Sequence, residues 1–182
     1  MILTANHVTA RSPSRQASLT PSSGSIQKQL QNLLEALLRR EVAVHPGIWT
    51  TPVESNFVEG VYTSDDGEVR AVCHCELSLA AHSSAALSLI PVGVAGAAVG
   101  SGKLDEELLE NFQEVLNVCS RLFNDNSTKH VRLANVAFGR GAVFALKNQE
   151  GVRDFKFDVT VSGYGGGRLE LRALRDDTAN AL

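Results

Sequence analysis

The feature that most constrains this fold is a strict alternation of apolar and polar residues near the C-terminus. Apolar residues stand at every second position from 155 to 161, and polar residues fill the positions between them. A period of two predicts a strand with one buried and one polar face. Tyr164-Gly165-Gly166-Gly167 follows as a predicted turn, and Leu169 and Leu171 alternate with polar residues on the return strand. The segment therefore predicts an antiparallel hairpin that needs a covering layer on one face.

A second hairpin and a leading helix extend this picture. The strand-like segments Phe57 to Thr63 and Val69 to Leu77 are joined through Asp66-Gly67, a strong hairpin turn signal. Upstream, leucine and isoleucine recur at three- and four-residue steps from position 26 to position 38, which predicts a helix with one apolar stripe. We expect His45-Pro46-Gly47 to end that helix and turn the chain.

The remaining segments complete an α+β pattern. A small-residue helical region from Ser78 to Val99 is interrupted by Pro91, and Val131 to Phe138 reads as a strand. We expect residues 25–175 to form one α+β domain, with an antiparallel-rich sheet packed against helices. Residues 1–24 are rich in Ser, Thr and Pro and are predicted to be a disordered tail. Residues 176–182 are predicted to be a frayed C-terminus.

Composition argues against several classes of function. The net charge is −3 and the basic residues are scattered, which does not suit a nucleic-acid-binding protein. The longest apolar run, Ala85 to Val99, is too short and too broken by Gly and Pro to span a bilayer, so no membrane association is expected. Three cysteines, a small and odd number, favour a reducing compartment, and the expected location is cytoplasmic.

Cys73-His74-Cys75 superficially resembles a fragment of a metal site. Zinc sites space their paired cysteines by two or more residues, and on a strand Cys73 and Cys75 would share one face with His74 on the other. We interpret both cysteines as buried apolar residues. The five histidines show no metal-ligand spacing and are expected to lie in loops or on the surface, so no cofactor or metal of the chain's own is predicted.

The segment from Leu104 to Phe123 predicts a helix with a buried back and a polar front. Its apolar residues fall on one side of a helical wheel. Glu110, Glu114, Asn117 and Arg121 follow one another at steps of four, three and four and form a narrow stripe on the opposite side. A solvated outer face explains such a stripe in most helices, but Asn is a poor helix former, and solubility would be served better by Lys or Glu.

Glu110-Asn111-Phe112-Gln113-Glu114-Val115-Leu116-Asn117 resembles the phosphatase helix of the CheC/CheX family of chemotaxis proteins. The family motif is an acid or Ser, three residues, Glu, two residues, Asn, three residues and Gly. The segments 104–109 and 132–141, and the order of elements over about residues 25–175, are similar as well. This chain departs from the motif at the last position, where Arg121 stands in place of Gly.

The resemblance implies a function and a set of residues. In that family the Glu and Asn enter the acidic pocket of a phosphorylated response regulator. By resemblance, Asn117 would orient the water that attacks the aspartyl phosphate, and Glu114 would pair with a lysine of the partner's pocket, while Glu110 and Arg121 would contact the partner. The magnesium ion would be carried by the partner. The resemblance also implies a homodimer.

Arg121 leaves alternatives open. It could block docking, pair with Glu114 or Glu110 and hold the face inert, or reach an acidic surface of the regulator. The sequence therefore predicts a CheX-like phosphatase in chemotaxis or two-component signalling. The alternative is a non-catalytic adaptor of the same fold that binds a response regulator or a flagellar-switch-type partner. A third possibility is an unrelated ligand-binding or structural domain, which a deep apolar pocket with polar groups would favour.

Overall fold

The computed structural model describes residues 23–50, 56–124, 129–139, 146 and 149–174. The predicted frayed C-terminus and all but the last two residues of the predicted N-terminal tail lie outside the described residues. The helices are α1 (Ser23–Leu38), α2 (Leu77–Leu87), α3 (Val92–Ser101) and α4 (Glu106–Cys119), with a short 3-10 helix at Ser120–Leu122. The strands are β1 (Val42–Pro46), β2 (Phe57–Ser64), β3 (Val69–Glu76), β4 (Val131–Phe138), β5 (Val152–Val161) and β6 (Gly165–Leu174).

The six strands form one sheet in the order β1-β5-β6-β3-β2-β4. Each of the five pairings between neighbouring strands is antiparallel. The β2–β3 turn contains Gly67 with a φ of 83°, as the Asp-Gly signal predicts. The predicted α+β fold with an antiparallel sheet packed against helices is confirmed.

One face of the sheet is covered by α1, α2 and α4. The main core lies between these layers, and Leu30, Leu108 and Phe112 are completely or almost completely buried there. Cys73 and Cys75 are free thiols on this same face, as their spacing predicts. The small-residue region is two helices separated at Pro91, so the predicted interruption is also confirmed.

The expected turn at His45-Pro46-Gly47 is wrong. Helix α1 already ends at Leu38, Arg39 takes a positive φ of 51°, and residues 42–46 form the edge strand β1, which pairs with β5. β-branched Val42 and Val44 suit the pleated surface, and Pro46 is tolerated because it ends an edge strand.

The glycines at 165–167 are also placed differently from the prediction. The β5–β6 turn is Ser162–Tyr164, and the three glycines begin β6 itself. A Cβ at Gly166 would collide with the carbonyl oxygen of Val159, and a Cβ at Gly167 would collide with the hydroxyl of Ser78. Gly167 therefore allows the start of α2 to pack directly against the sheet, and Gly166 allows β6 to lie close to the backbone of β5.

The face of the sheet away from the helices contains buried polar residues. His74 pairs in register with Glu59 on one side and Glu170 on the other, and each side chain is at most 1% exposed. Arg172 bonds to Glu170 through two guanidinium nitrogens, at 2.6 and 2.9 Å, and also contacts Asp154 at 3.1 Å. The expectation that every histidine lies in a loop or on the surface is wrong for His74, because this second face is covered rather than solvated.

Candidate functional site

Helix α4 begins and packs as its sequence predicts. The carboxylate of Asp105 accepts a hydrogen bond of 2.9 Å from the backbone N–H of Leu108, which caps the N-terminus. The apolar back of the helix is buried against the sheet and the neighbouring helices. Because the back is buried and the first turn is capped, the opposite face is held in a defined position.

Tyr62 and Gly60 of β2 determine where α4 lies on the sheet and how closely it packs there. The hydroxyl of Tyr62 donates a 2.7 Å hydrogen bond to the backbone carbonyl of Leu116, and the bond is buried. Burial raises the pKa of Tyr62 well above its usual value, so the hydroxyl remains a neutral donor at physiological pH. A Cβ at Gly60 would lie 3.0 Å from a methyl of Leu116, so the glycine leaves room for the helix. Both contacts act on the residue directly before Asn117.

The structure exposes all four residues of the predicted stripe. Glu110, Glu114 and Asn117 lie in α4, at the spacing that aligns side chains along one helix face. Within the described part of the chain, none of these three side chains makes a hydrogen bond or ion pair. They are therefore available to a partner.

Arg121 lies differently from the prediction. The single helix expected up to Phe123 ends at Cys119, and Arg121 belongs to the 3-10 helix that follows. The hydroxyl of Ser120 donates to the carbonyl of Asn117 at 2.6 Å where the helix type changes. Among the described residues, Arg121 makes no ion pair with Glu110 or Glu114.

Arg121 instead lines a cleft beside α1, which we call the α1 groove. The cleft has a volume of about 660 Å³. It is bounded by Leu33 and Leu37 of α1, Leu122 and Phe123 after α4, and Phe155 of β5. Neither this groove nor Arg153, which lines it, is predicted from the sequence. One sequence signal could have identified Arg153. It is charged, yet it continues the every-second-residue pattern of the apolar residues at positions 155 to 161 of β5 and therefore lies on their face of the strand.

The described residues offer no metal centre. Within ranges 23–50, 56–124, 129–139, 146 and 149–174, no group of three or more His, Cys, Asp or Glu side chains is arranged to hold a metal ion. The predicted lack of a cofactor remains a prediction. No described helix is long and apolar enough to cross a membrane.

Comparison with known proteins identifies the fold but not the family. No family model matches the chain, and no curated protein matches it. The FliM middle domain from Vibrio alginolyticus superposes with a TM-score of 0.57 at 11% identity, covering 82% of this chain and 88% of that one. A chain of the FliG–FliM complex from H. pylori has a TM-score of 0.50 at 11% identity, covering 82% and 86%.

A chain of the CheX–CheY–BeF3 complex from Borrelia burgdorferi also matches, at 11% identity over 86% of this chain and all of that one. Its TM-score is 0.45. At such identities, a structural likeness establishes the fold alone. The chain therefore shares the architecture of the FliM middle domain, and the predicted CheC/CheX resemblance in sequence stands as a hypothesis about function.

Proposed function

We propose that this protein is a CheX-like phosphatase that hydrolyses the aspartyl phosphate of a response regulator. The observation that carries the proposal is the exposed face of α4. Glu114 and Asn117 project from a helix whose back is buried, and neither side chain is engaged within the described part of the chain. A rigid helix with two free polar groups at this spacing suits insertion into a partner's pocket.

The chemistry needs positioning more than covalent work by this chain. The Asn117 amide orients a water molecule in line with the phosphorus, and the water's oxygen bonds to phosphorus as the bond to the partner's aspartate breaks. Phosphate leaves and the aspartate regains its carboxylate. The Glu114 carboxylate pairs with a lysine of the partner's pocket, and the partner supplies the magnesium ion.

The position of Arg121 bears on its proposed role. The hypothesis that Arg121 holds the face inert requires an ion pair with Glu110 or Glu114, and the described residues contain none. Arg121 lies beside the α1 groove. This position favours a contact with the partner that is adjacent to Glu114 and Asn117 and does not block them. Glu110, one turn before Glu114, is proposed as a second partner contact.

The test is to follow phosphate release from purified phosphorylated response regulators incubated with the protein. Asn117→Ala should remove most of the rate while leaving the unfolding midpoint unchanged, because exposed substitutions typically change stability by less than about 0.5 kcal/mol. Glu114→Gln should weaken regulator binding. Glu107→Gln, an exposed carboxylate in the first turn of the same helix, is the matched control and should retain full activity. Phosphate release that is unaffected by Asn117→Ala would refute the phosphatase proposal.

A non-catalytic adaptor is the second candidate. It is supported by the fold shared with a chain of the FliG–FliM complex, which is a protein–protein assembly. In that case the regulator would bind without accelerated phosphate release, and Asn117→Ala would leave the rate of spontaneous dephosphorylation unaltered.

A further inference from the structure

The described residues that line the α1 groove form apolar walls and include two arginines and no acid. Leu33 and Leu37 form one wall, Leu122 and Phe123 the other, and Phe155 lies on the sheet side. Arg121 and Arg153 are the charged residues among those described as lining it, and no described Asp or Glu lines it.

Neither Arg121 nor Arg153 has a charged partner among the described residues. Within the described part of the chain, neither guanidinium makes an ion pair or hydrogen bond. The Nε and Nη1 atoms of Arg153 are also buried from solvent. A buried N–H without an acceptor is unfavourable, and it is more so on a charged group.

Two other arginines of the sheet do form ion pairs. Arg172, on the neighbouring strand β6, is paired with Glu170 and Asp154. Arg132 of β4 pairs with Asp65 even though both side chains are largely exposed. Arg153 differs from these two arginines, because its buried Nε and Nη1 atoms have no acceptor among the described residues and lie beside the groove, where a bound partner could supply one.

We propose that the α1 groove is a docking site for a peptide segment of a partner protein, in which carboxylates are flanked by apolar side chains. The carboxylates pair with Arg153 and Arg121, and the apolar side chains cover Leu33, Leu37 and Phe155. A small free anion would satisfy the arginines but leave the apolar walls in water, whereas an acidic amphipathic segment satisfies both. The proposal goes beyond the function of the α4 face and holds whether or not that face is catalytic.

The test is selection of binders from a random peptide library displayed on phage, followed by measurement of affinity by fluorescence anisotropy with the full chain. We expect the enriched peptides to contain Asp or Glu among Leu, Ile or Phe. Arg153→Gln should weaken their binding about tenfold or more, because each guanidinium–carboxylate pair is charge-assisted and partly buried. Arg121→Gln should weaken binding as well. Arg132→Gln, which removes an arginine on β4 outside the groove, is the matched control and should leave affinity unchanged.

Three results would overturn the proposal. One is enrichment of basic or uncharged peptides, and another is acidic peptides that bind Arg153→Gln as tightly as the unaltered protein. The third concerns the segment of this chain that follows Leu174, which carries Asp176 and Asp177. If Asp176→Asn with Asp177→Asn raises peptide affinity tenfold, that segment occupies the groove in place of a partner.

Discussion

Tyr62 holds α4, and with it Asn117, in place on the sheet. Its hydroxyl donates to the carbonyl of Leu116 inside the core, where both residues are buried from solvent. A single buried hydrogen bond thus links strand β2 to the residue before the proposed catalytic asparagine. The side chain that matters for positioning is not itself on the functional face.

Tyr62→Phe should lower the free energy of unfolding by about 1–3 kcal/mol, because it leaves the Leu116 carbonyl buried without a donor. Urea unfolding followed by circular dichroism measures the change. Tyr164→Phe is the matched control: its hydroxyl makes no hydrogen bond to another described residue, and the substitution should cost less than about 0.5 kcal/mol. Equal effects of the two substitutions would show that the Tyr62 bond contributes nothing specific.

At the scale of single elements, the glycines of helix α3 and those of strand β6 have opposite packing environments. Nothing lies within 4 Å of the position that a Cβ would take at Gly93, Gly96 or Gly100, so packing within the described chain does not require these glycines. In β6, by contrast, Gly166 and Gly167 face backbone or side-chain atoms that leave no room for a methyl group. The same residue type is dispensable for packing in one element and necessary in the other.

Gly96→Ala should therefore stabilise the protein by about 0.5–1 kcal/mol, because alanine restricts the unfolded chain and favours the helix. Gly166→Ala should destabilise it by about 1–3 kcal/mol or more, because the added methyl collides with the β5 backbone. Thermal unfolding of both variants measures the opposite signs. A loss of stability in Gly96→Ala would show that α3 packs against something outside the described residues.

At the scale of the whole molecule, ionisable pairs join distant parts of the chain and make stability depend on pH. Lys129, just before β4, contacts Asp66 in the β2–β3 turn at 2.7 Å. Hydrogen bonds from Lys129 and Ser64 lower the pKa of Asp66 well below its usual value. By contrast, burial and the nearby Glu170 raise the pKa of Asp154 above its usual value. The two aspartates therefore respond to acid with opposite signs.

Because its pKa is lower in the folded state, Asp66 contributes stability above its unfolded pKa of about 3.8, and this is lost as the pH falls through the folded value. Asp66→Asn should be less stable than the unaltered protein at pH 5–7, and the difference should shrink below about pH 4. Subtracting the two unfolding free energies removes the common contribution of Asp154. A difference that does not vary between pH 7 and pH 2 would contradict the assignment.

Association is a second property of the whole molecule, and the homodimer remains a prediction. The edge strand β4 pairs with β2 and carries a single charged residue, Arg132, over its eight residues, so little along it discourages pairing with another strand. Ala134→Lys places a charge at an exposed position of this edge. Sedimentation equilibrium should show a dimer for the unaltered protein and a weaker one for this variant. A monomer at high micromolar concentration would exclude the homodimer.

Patterns of apolar and polar residues over short stretches of the sequence predicted much of the architecture. The alternation in β5, the Asp-Gly turn and the apolar back of α4 are periodic signals within short windows, and β4 begins and ends at the predicted residues. The exposure of Glu110, Glu114 and Asn117 followed from the same helical periodicity. Periodicity was less informative at element ends: the strand β1 and the change to a 3-10 helix before Arg121 depend on contacts with distant segments.

By itself, the sequence determined the α+β class, both hairpins and the polar front of α4, because each is set by neighbouring residues along the chain. Only the tertiary structure decided that His74 and Glu170 are buried and that Arg153 faces an apolar groove. Strand alternation places such residues on one face of a sheet but does not reveal what covers that face. The cover comes from segments far away in sequence, and burial is a property of both layers together.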